Sequence, residues 1–400
     1  MRLLLSILTA VLLVPATAVA APLSFPALPD DRPRGMAVGT DGRGAVLVQN
    51  GDSQALIDLR DGTRRELGPA RELDRVQRAD GGVDMLVRTE DPLRHPQLAV
   101  RRLRPSGRLY GPIIFTDVDA SVGAIARGRD RTAFAWSQGR RLRLHSLIDG
   151  VIASKTYTVA LAAGRPTDLA LGIDGRGRLT LAAMTARGLV VAAIDRRGKV
   201  LRRQVFSRVA GLVSIAVTPG GRVGVLVEDT GIEGDAGECV ADGAGRHVRA
   251  VVRESLARSF GAPQTIESPP FGCGSGGALL RATRGEGLTA IYQAGSYDLP
   301  PLRVKRAVAP RGQRFGAPLA TLDDARSDTA VVTKDGQLVI GLLRKTTTPE
   351  VFSGSLAVFR APDAYVEVDP GPAFSPLLAL DAAGQDVLAW RTDGALKVVR

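Results

Sequence analysis

The residues best suited to chemistry in this chain of 400 residues are three histidines, two cysteines and a set of carboxylates. A histidine such as His95, His145 or His247 can act as a general acid or base when carboxylates lie beside it. Cys239 and Cys273 can form a disulfide, hold a metal or remain free thiols. The sequence contains no H-E-x-x-H metal motif and no G-x-S-x-G nucleophile elbow. Any site therefore depends on the elements that bring these residues together.

Converging carboxylates are candidates for a calcium site or for acid–base catalysis, because Ca²⁺ prefers several oxygen ligands. No group of them follows the EF-hand spacing, and aspartates in tight turns commonly bond to their own backbone instead. The carboxylate candidates are Asp117, Asp119, Asp235, Asp323 and Asp324. The wider set of carboxylates expected on the same face also contains Asp30, Asp31, Glu72, Asp74, Glu228, Asp229, Glu233, Glu238 and Asp328.

The first 20 residues have the pattern of a secretory signal peptide. Arg2 provides the positive start, residues 3–14 the apolar stretch, and residues 18–20 a small-x-small cleavage site. The alternative is a membrane anchor, but this apolar stretch is shorter than the roughly 20 residues that a membrane span needs. We expect cleavage after Ala20, no membrane span, and a single mature domain of residues 21–400 that is secreted or resides in the envelope or periplasm.

The formal net charge of +12 is carried by arginine, since only six of the 53 basic residues are lysines. A basic exported protein can bind anionic envelope polymers, although a GC-rich coding sequence also produces this composition. Arginines crowd residues 101–108, 140–144 and 195–203, which we expect on the outer rim of the fold. No aromatic residues are interleaved for base stacking, so we expect no nucleic-acid partner.

A unit with a Gly- or Asp-containing turn and a following β-rich run occurs eight times along the chain. The runs end at residues 48, 87, 136, 183, 227, 292, 342 and 390. Residues 167–207 show four strand-like pieces joined by glycine-containing hairpins. The repeat predicts an all-β fold, a β-propeller of eight four-stranded blades. Trp136, Tyr292 and Trp390 occupy equivalent places, which predicts packing between blades.

The last unit contains only three strands, so its fourth strand must come from elsewhere. Residues 21–31, APLSFPALPDD, resemble the outer-strand segment GAPLATLDD of residues 316–324. We therefore expect residues 21–31 to pair with the final strand and close the ring, which removes its open edges.

With these repeats the chain resembles exported bacterial β-propellers of the TolB-like, NHL or YVTN kind. It lacks the Gly-His and Trp-Asp signature of WD repeats. It also lacks the Ser-x-Asp-x-Gly-x-Thr-Trp box of sialidases, because TDGRG and GIDGRG keep only its central Asp and Gly. The resemblance implies a fold and no particular activity.

A propeller of this kind carries ligands on the face that holds its interblade connections and the loops between second and third strands. His95, His247 and the carboxylate candidates fall on that face, as does a long insertion loop at residues 228–247. Cys239 lies in this loop and Cys273 in the next interblade connection. We expect them to form a disulfide, with a metal or free-thiol role as the alternative.

The missing catalytic constellation predicts a non-catalytic binding or scaffold propeller. We expect it to act as a monomer on an envelope polymer or another exported protein, with no cofactor except a possible Ca²⁺. The alternative is a hydrolase or lyase that uses carboxylates and a loop histidine at the channel mouth. The position of the histidines distinguishes the two hypotheses. If His95 or His247 lies beside two or more of the aspartates at the channel mouth, the enzyme is favoured.

Overall fold

The computed structural model describes residues 21–91, 93–116, 118, 120–139, 141–148, 151–152, 156–159, 164–207, 209, 211–230, 246–255, 258–267, 278–294, 303–323, 325–344, 354–361 and 364–400. In these ranges the structure is almost entirely antiparallel β, with a 3-10 turn at Arg284–Glu286 as the one helical element. The strands pair into eight successive groups, which form six sheets because two long strands each run through two groups.

The first four groups follow the chain order. Group 1 contains β2 (Arg32–Val38), β3 (Gly44–Asn50), β4 (Ser53–Asp58) and the start of β5 (Arg64–Gln77), and group 2 contains the rest of β5, β6 (Val83–Glu90), β7 (Pro96–Leu103) and β8 (Leu109–Phe115). Group 3 contains β9 (Gly123–Arg127), β10 (Arg131–Gln138), β11 (Arg141–Ile148), β12 (Val151–Ile152) and β13 (Tyr157–Val159). Group 4 contains β14 (Pro166–Ile173), β15 (Leu179–Thr185), β16 (Gly188–Ile194) and β17 (Val200–Phe206).

The last four groups continue in the same way, with β1 added at the end. Group 5 contains β18 (Gly211–Val217), β19 (Val223–Thr230), β20 (Arg246–Arg253) and β21 (Gln264–Glu267). Group 6 contains β22 (Leu279–Thr283), β23 (Gly287–Ala294), β24 (Arg303–Ala309) and β25 (Leu319–Asp323). Group 7 contains β26 (Ala325–Val332), β27 (Leu338–Arg344), β28 (Gly354–Arg360) and the start of β29 (Ala364–Leu380), and group 8 contains the rest of β29, β30 (Asp386–Thr392), β31 (Ala395–Val399) and β1 (Leu23–Pro26).

The turns between first and second strands explain why the repeated Asp and Gly residues recur. In group 4, the carboxylate of Asp174 accepts the backbone N–H groups of Arg176 and Arg178, each at 2.9 Å. Gly177 has a φ of 73°, which glycine adopts without a steric penalty from Cβ. The aspartate and the glycine therefore specify a tight hairpin between β14 and β15.

The predicted closing strand is confirmed at the N-terminus. Strand β1 pairs antiparallel with β31, with Phe25 opposite Leu396. The Phe25 side chain is buried and joins a hydrophobic cluster that contains Met36 of group 1 and Val387 of group 8. The first strand of group 1 also contacts the inner strand of group 8. The β-propeller fold is thereby confirmed, and the blade count of eight stays a prediction with which these groups agree.

The aromatic residues at the equivalent repeat position are buried, as predicted. Trp390 on β30 donates its indole N–H to Asp369 Oδ2 on the preceding group, at 2.9 Å. Asp369 also accepts Lys397 Nζ at 2.8 Å and the backbone N–H of Gly371 at 3.0 Å. Lys397 lies directly opposite Trp390 in the sheet register. One carboxylate therefore fastens the aromatic and the lysine of the next group.

Group 6 contains the same arrangement. Tyr292 on β23 donates its hydroxyl to Glu267 Oε2 of group 5 at 3.0 Å. Lys305, which lies opposite Tyr292 in the register, donates to Glu267 Oε1 at 2.9 Å. This aromatic–carboxylate–lysine contact recurs in a chain with only six lysines, so these two lysines serve to hold adjacent groups together.

Trp136 is the exception among the three aromatic residues. Its counterpart on the preceding group is Phe115, which occupies the register position that Glu267 and Asp369 occupy elsewhere. The two rings lie 5.7 Å apart between centroids. Trp136 Nε1 is buried and has no hydrogen-bond partner in the part of the chain that the structure describes.

We expect the two tryptophans to differ when each is replaced by phenylalanine. Trp390→Phe removes a hydrogen bond to a buried carboxylate, whereas Trp136→Phe removes an unpaired N–H and a similar ring volume. Trp390→Phe should therefore lower the free energy of unfolding by about 1 kcal/mol more than Trp136→Phe. Urea unfolding of both variants measures the difference, and equal losses would contradict this account.

Candidate functional site

A central channel of about 730 Å³ is enclosed by the first strands of all eight groups. The part of each first strand that lines the channel pairs with a neighbouring strand on one side only, so its other edge faces the channel. Most lining residues are small or apolar, which makes the charged ones conspicuous. The charged lining residues are Glu72, Asp74, Arg75, Arg127, Asp168 and Arg281.

Asp74 lies in the channel wall just after a β-bulge in β5, which shifts the register between Glu72 and Asp74. Its carboxylate accepts the backbone N–H groups of Arg75 and of Ile125 in group 3, each at 2.8 Å. Burial raises the pKa of Asp74 to about 7, against these two hydrogen bonds, and the charge of Glu72 raises it further. The carboxyl group of Asp74 therefore gains and loses its proton near neutral pH.

The bond from Asp74 to the next group has counterparts elsewhere in the ring. The hydroxyl of Ser214 accepts the N–H of Leu280 at 3.1 Å, and the hydroxyl of Thr329 accepts the N–H of Leu378 at 2.9 Å. These hydroxyls and Asp74 occupy the same register position in their strands. Asp74 therefore links two groups in addition to lining the channel.

The raised pKa of Asp74 predicts a pH dependence of stability. Between about pH 4 and pH 7 the unfolded chain ionises Asp74 while the folded protein keeps it protonated, so this residue lowers stability as the pH rises. The slope is at most about 1.4 kcal/mol per pH unit. We expect Asp74→Asn to lack this contribution, and urea unfolding of both proteins from pH 5 to pH 8 checks it. A pH-independent difference between them would contradict the shift.

Glu72 and Asp168 complete the acidic part of the channel wall. Glu72 Oε1 accepts Arg75 Nη1 at 2.8 Å, while the buried Oε2 has no hydrogen-bond partner among the described residues. Asp168 is exposed at the start of β14 and accepts the backbone N–H of Leu169 at 2.8 Å. Both carboxylates retain acceptor capacity toward the channel.

Arg281 provides a further guanidinium in the wall, in addition to those of Arg75 and Arg127. Its Nε donates to the carbonyl of Ala330 at 2.8 Å and its Nη1 donates to the carbonyl of Leu280 at 3.0 Å. Burial lowers the pKa of Arg281 to about 10, and the positive charge of Arg75 lowers it further. Arg75 and Arg281 are therefore close enough to interact electrostatically, and Arg281 has no carboxylate partner within the described ranges.

The histidine candidates do not join this cluster. His95 lies in the connection between β6 and β7, is exposed, and places its Nδ1 3.0 Å from Asp91 Oδ2. His247 lies in β20 opposite Asp229. In the part of the chain that is described, no histidine lines the channel.

The remaining predicted site residues divide into two sets. Asp323, at the end of β25, is exposed and pairs with Arg303 Nε at 2.9 Å. The other candidates, including the cysteine pair, lie outside the described residues, so the disulfide stays a prediction. These residues are Asp117, Asp119, Asp235, Asp324, Cys239 and Cys273.

The expectation that the arginine-rich segments lie on the outer rim is wrong for two residues. Arg101 and Arg102 on β7 are only 8% and 9% exposed. Arg101 Nη1 donates to Gln54 Oε1, and Arg102 Nε lies 3.6 Å from Oδ1 of the buried Asp84. A third strand packs both faces between neighbouring groups, which draws these side chains inward. Arg203 on the outer strand β17, by contrast, is exposed.

Two further properties concern the described ranges alone. They contain no helix that is long and apolar enough to cross a membrane. They also contain no cluster of three or more His, Cys, Asp or Glu side chains that could hold a metal ion.

No protein-family model and no curated protein sequence matches the chain. Among solved structures, the chain is similar to the Dos1 propeller, with a TM-score of 0.59 and 10% identity over 94% of both chains. It is also similar to the β-propeller domain of the trilobed protease from Pyrococcus furiosus, with a TM-score of 0.49 and 10% identity over 82% of this chain and 93% of that one. A streptogramin B lyase gives 0.46 and 11% over 95% and 97%. At such low identity the likeness concerns the fold alone, and that fold is the β-propeller.

Proposed function

We propose that this protein is a non-catalytic binding propeller that acts outside the cytoplasm after export and receives its ligand in the central channel. One observation carries the proposal: the channel combines a volume of about 730 Å³ with a few charged side chains among residues that are mostly small or aliphatic. A volume of this size and a few convergent polar groups are typical of ligand pockets. The ligand would be part of an envelope polymer or of another exported protein.

The rim is the less favoured binding surface. Arg101 and Arg102 are buried, and Arg202 donates to the hydroxyl of Ser259, so several arginines of the basic segments serve contacts within the fold. Exposed arginines at the rim would bind anionic polymers weakly and in a salt-dependent manner. A channel site would instead bind with saturation.

A hydrolase or lyase is the second candidate, and Asp74 is the observation that favours it. A carboxyl group with a pKa near 7 is suited to general acid–base catalysis. However, both of its oxygens already accept backbone N–H groups, and Ser214 and Thr329 make the same contact without any acidity. Asp74 is therefore better explained as a link between groups.

The test is co-sedimentation of the mature protein with isolated bacterial envelopes across a salt series. Two variants accompany the wild type: Asp168→Trp, which places a bulky side chain in the channel lining, and Arg203→Glu, which reverses a charge on the rim. We expect saturable binding that Asp168→Trp weakens and Arg203→Glu leaves unchanged. Binding that depends on Arg203 and disappears at high salt would assign the function to the rim. No binding at any salt would refute the envelope partner.

A further inference from the structure

Arg281 breaks a ring of small apolar residues in the channel wall. In each group, one residue of the first strand pairs with the second-strand residue that lies three positions before the end of the β-rich run. These eight first-strand residues are equivalent and can be compared. Only group 6 places a charged residue there. The other seven residues are Ala37, Val76, Ala126, Gly172, Ala216, Val331 and Ala379.

Arg75 breaks the adjacent ring in the same way. It pairs with Met85, two positions before the end of its run, and the equivalent residues of the other groups are all apolar. They are Met36, Ile125, Leu171, Ile215, Leu280, Ala330 and Leu378. Each of two neighbouring rings thus contains seven apolar residues and one arginine.

The two arginines are placed across the channel from one another. Arg75 belongs to group 2 and Arg281 to group 6, so three groups separate them on either side in the described ring of eight. Their ring positions differ by one residue, which corresponds to about 3.3 Å along a strand. Both line the same cavity, and the charge of Arg75 acts on the pKa of Arg281.

A guanidinium in such a wall is costly without an anion. Arg281 has two carbonyl acceptors, and its Nη2 has no hydrogen-bond partner among the described residues. The carbonyl oxygens accept only two of its five N–H donors and do not neutralise its charge. Arg75, which is paired with Glu72, is a second guanidinium in the same channel. Uncompensated buried charges are avoided in proteins unless an anion pairs with them.

We infer that Arg75 and Arg281 form a clamp for the carboxylate group of a ligand. This inference rests on the proposed binding function and specifies the chemistry of its site. A planar guanidinium matches the two oxygens of a carboxylate, as the contact between Arg75 and Glu72 already shows at 2.8 Å. Glu72 lines the same channel, and its negative charge would repel a doubly charged group more strongly than a singly charged one, so a monoanionic carboxylate fits better than a phosphate.

The test is binding of acetate, propionate and inorganic phosphate at constant ionic strength, measured on the mature protein by nuclear magnetic resonance of the probes. We expect acetate and propionate to bind with a Kd on the order of millimolar. Arg281→Gln should weaken this binding at least about tenfold, whereas Arg203→Gln on the outer rim should leave it unchanged. Arg75→Gln should act in the same direction and provides the test if Arg281→Gln does not fold.

Three results would overturn the clamp. They are phosphate bound in preference to carboxylates, carboxylates bound no better than chloride, and carboxylate binding that survives both substitutions. If envelopes still bind through the channel in those cases, the proposed function stands and only the carboxylate assignment fails. If envelope binding also fails, the envelope partner is refuted together with the carboxylate assignment.

Discussion

Phe25→Ala is expected to lower the free energy of unfolding by about 3 to 4 kcal/mol. Phe25 sits on the short strand that closes the ring and buries its ring between groups 8 and 1. Its removal leaves a cavity where β1 meets β31 and the ring closes. The same substitution also weakens the pairing of β1 with β31, which otherwise presents an open strand edge.

Leu23→Ala is the matched control for Phe25→Ala. Leu23 belongs to the same strand but its side chain is 52% exposed, so its truncation should cost less than about 1 kcal/mol. Urea unfolding of both variants gives the comparison. Similar losses for the two substitutions would show that the strand contributes through its backbone pairing alone.

Asp369→Ala is expected to lower the free energy of unfolding by about 3 kcal/mol. The substitution leaves the buried indole N–H of Trp390 without an acceptor and Lys397 without its counter-charge. Burial opposes ionisation of Asp369, but its bonds to Lys397, Gly371 and Trp390 outweigh burial and keep its pKa below the usual value. This contribution is therefore complete above about pH 4 and is lost as the pH falls through the folded-state pKa.

Asp393→Ala provides the comparison for Asp369→Ala. Asp393 is an exposed aspartate in the hairpin between β30 and β31, and its loss should change the stability by less than about 0.5 kcal/mol. Chemical unfolding at pH 7 and at pH 3 should show a large effect of Asp369→Ala that diminishes in acid. An effect equal to that of Asp393→Ala at pH 7 would contradict the role of this carboxylate.

Local patterns were sufficient to predict most of the fold. The four strands of group 4 follow the alternating pieces of residues 167–207, and their turns follow the Asp and Gly residues. The closing strand was predictable because it copies an outer-strand segment. Trp136, Tyr292 and Trp390 were predictable as packing residues because equivalent places in a repeat have equivalent surroundings.

The channel site was predictable only in part. Glu72 and Asp74 were recognised as carboxylates of the ligand face, but Asp168, Arg75 and Arg281 were missed. An alignment of the first strands by their run ends would have shown Arg75 and Arg281 as charged residues in apolar columns. Without the strand register, that alignment is ambiguous, because a β-bulge displaces the pairing in β5 and in several other first strands.

The sequence by itself determined the repeat, the strands, their turns and the closure of the ring, because these depend on residues that are neighbours in the chain or copies of one unit. Only the tertiary structure decided which charged residues share a site. Arg75 and Arg281 are separated by about half the chain and line the same cavity because the first strands of all groups surround one channel. The same packing drew Arg101 and Arg102 inward, since the burial of a third-strand residue depends on the neighbouring group.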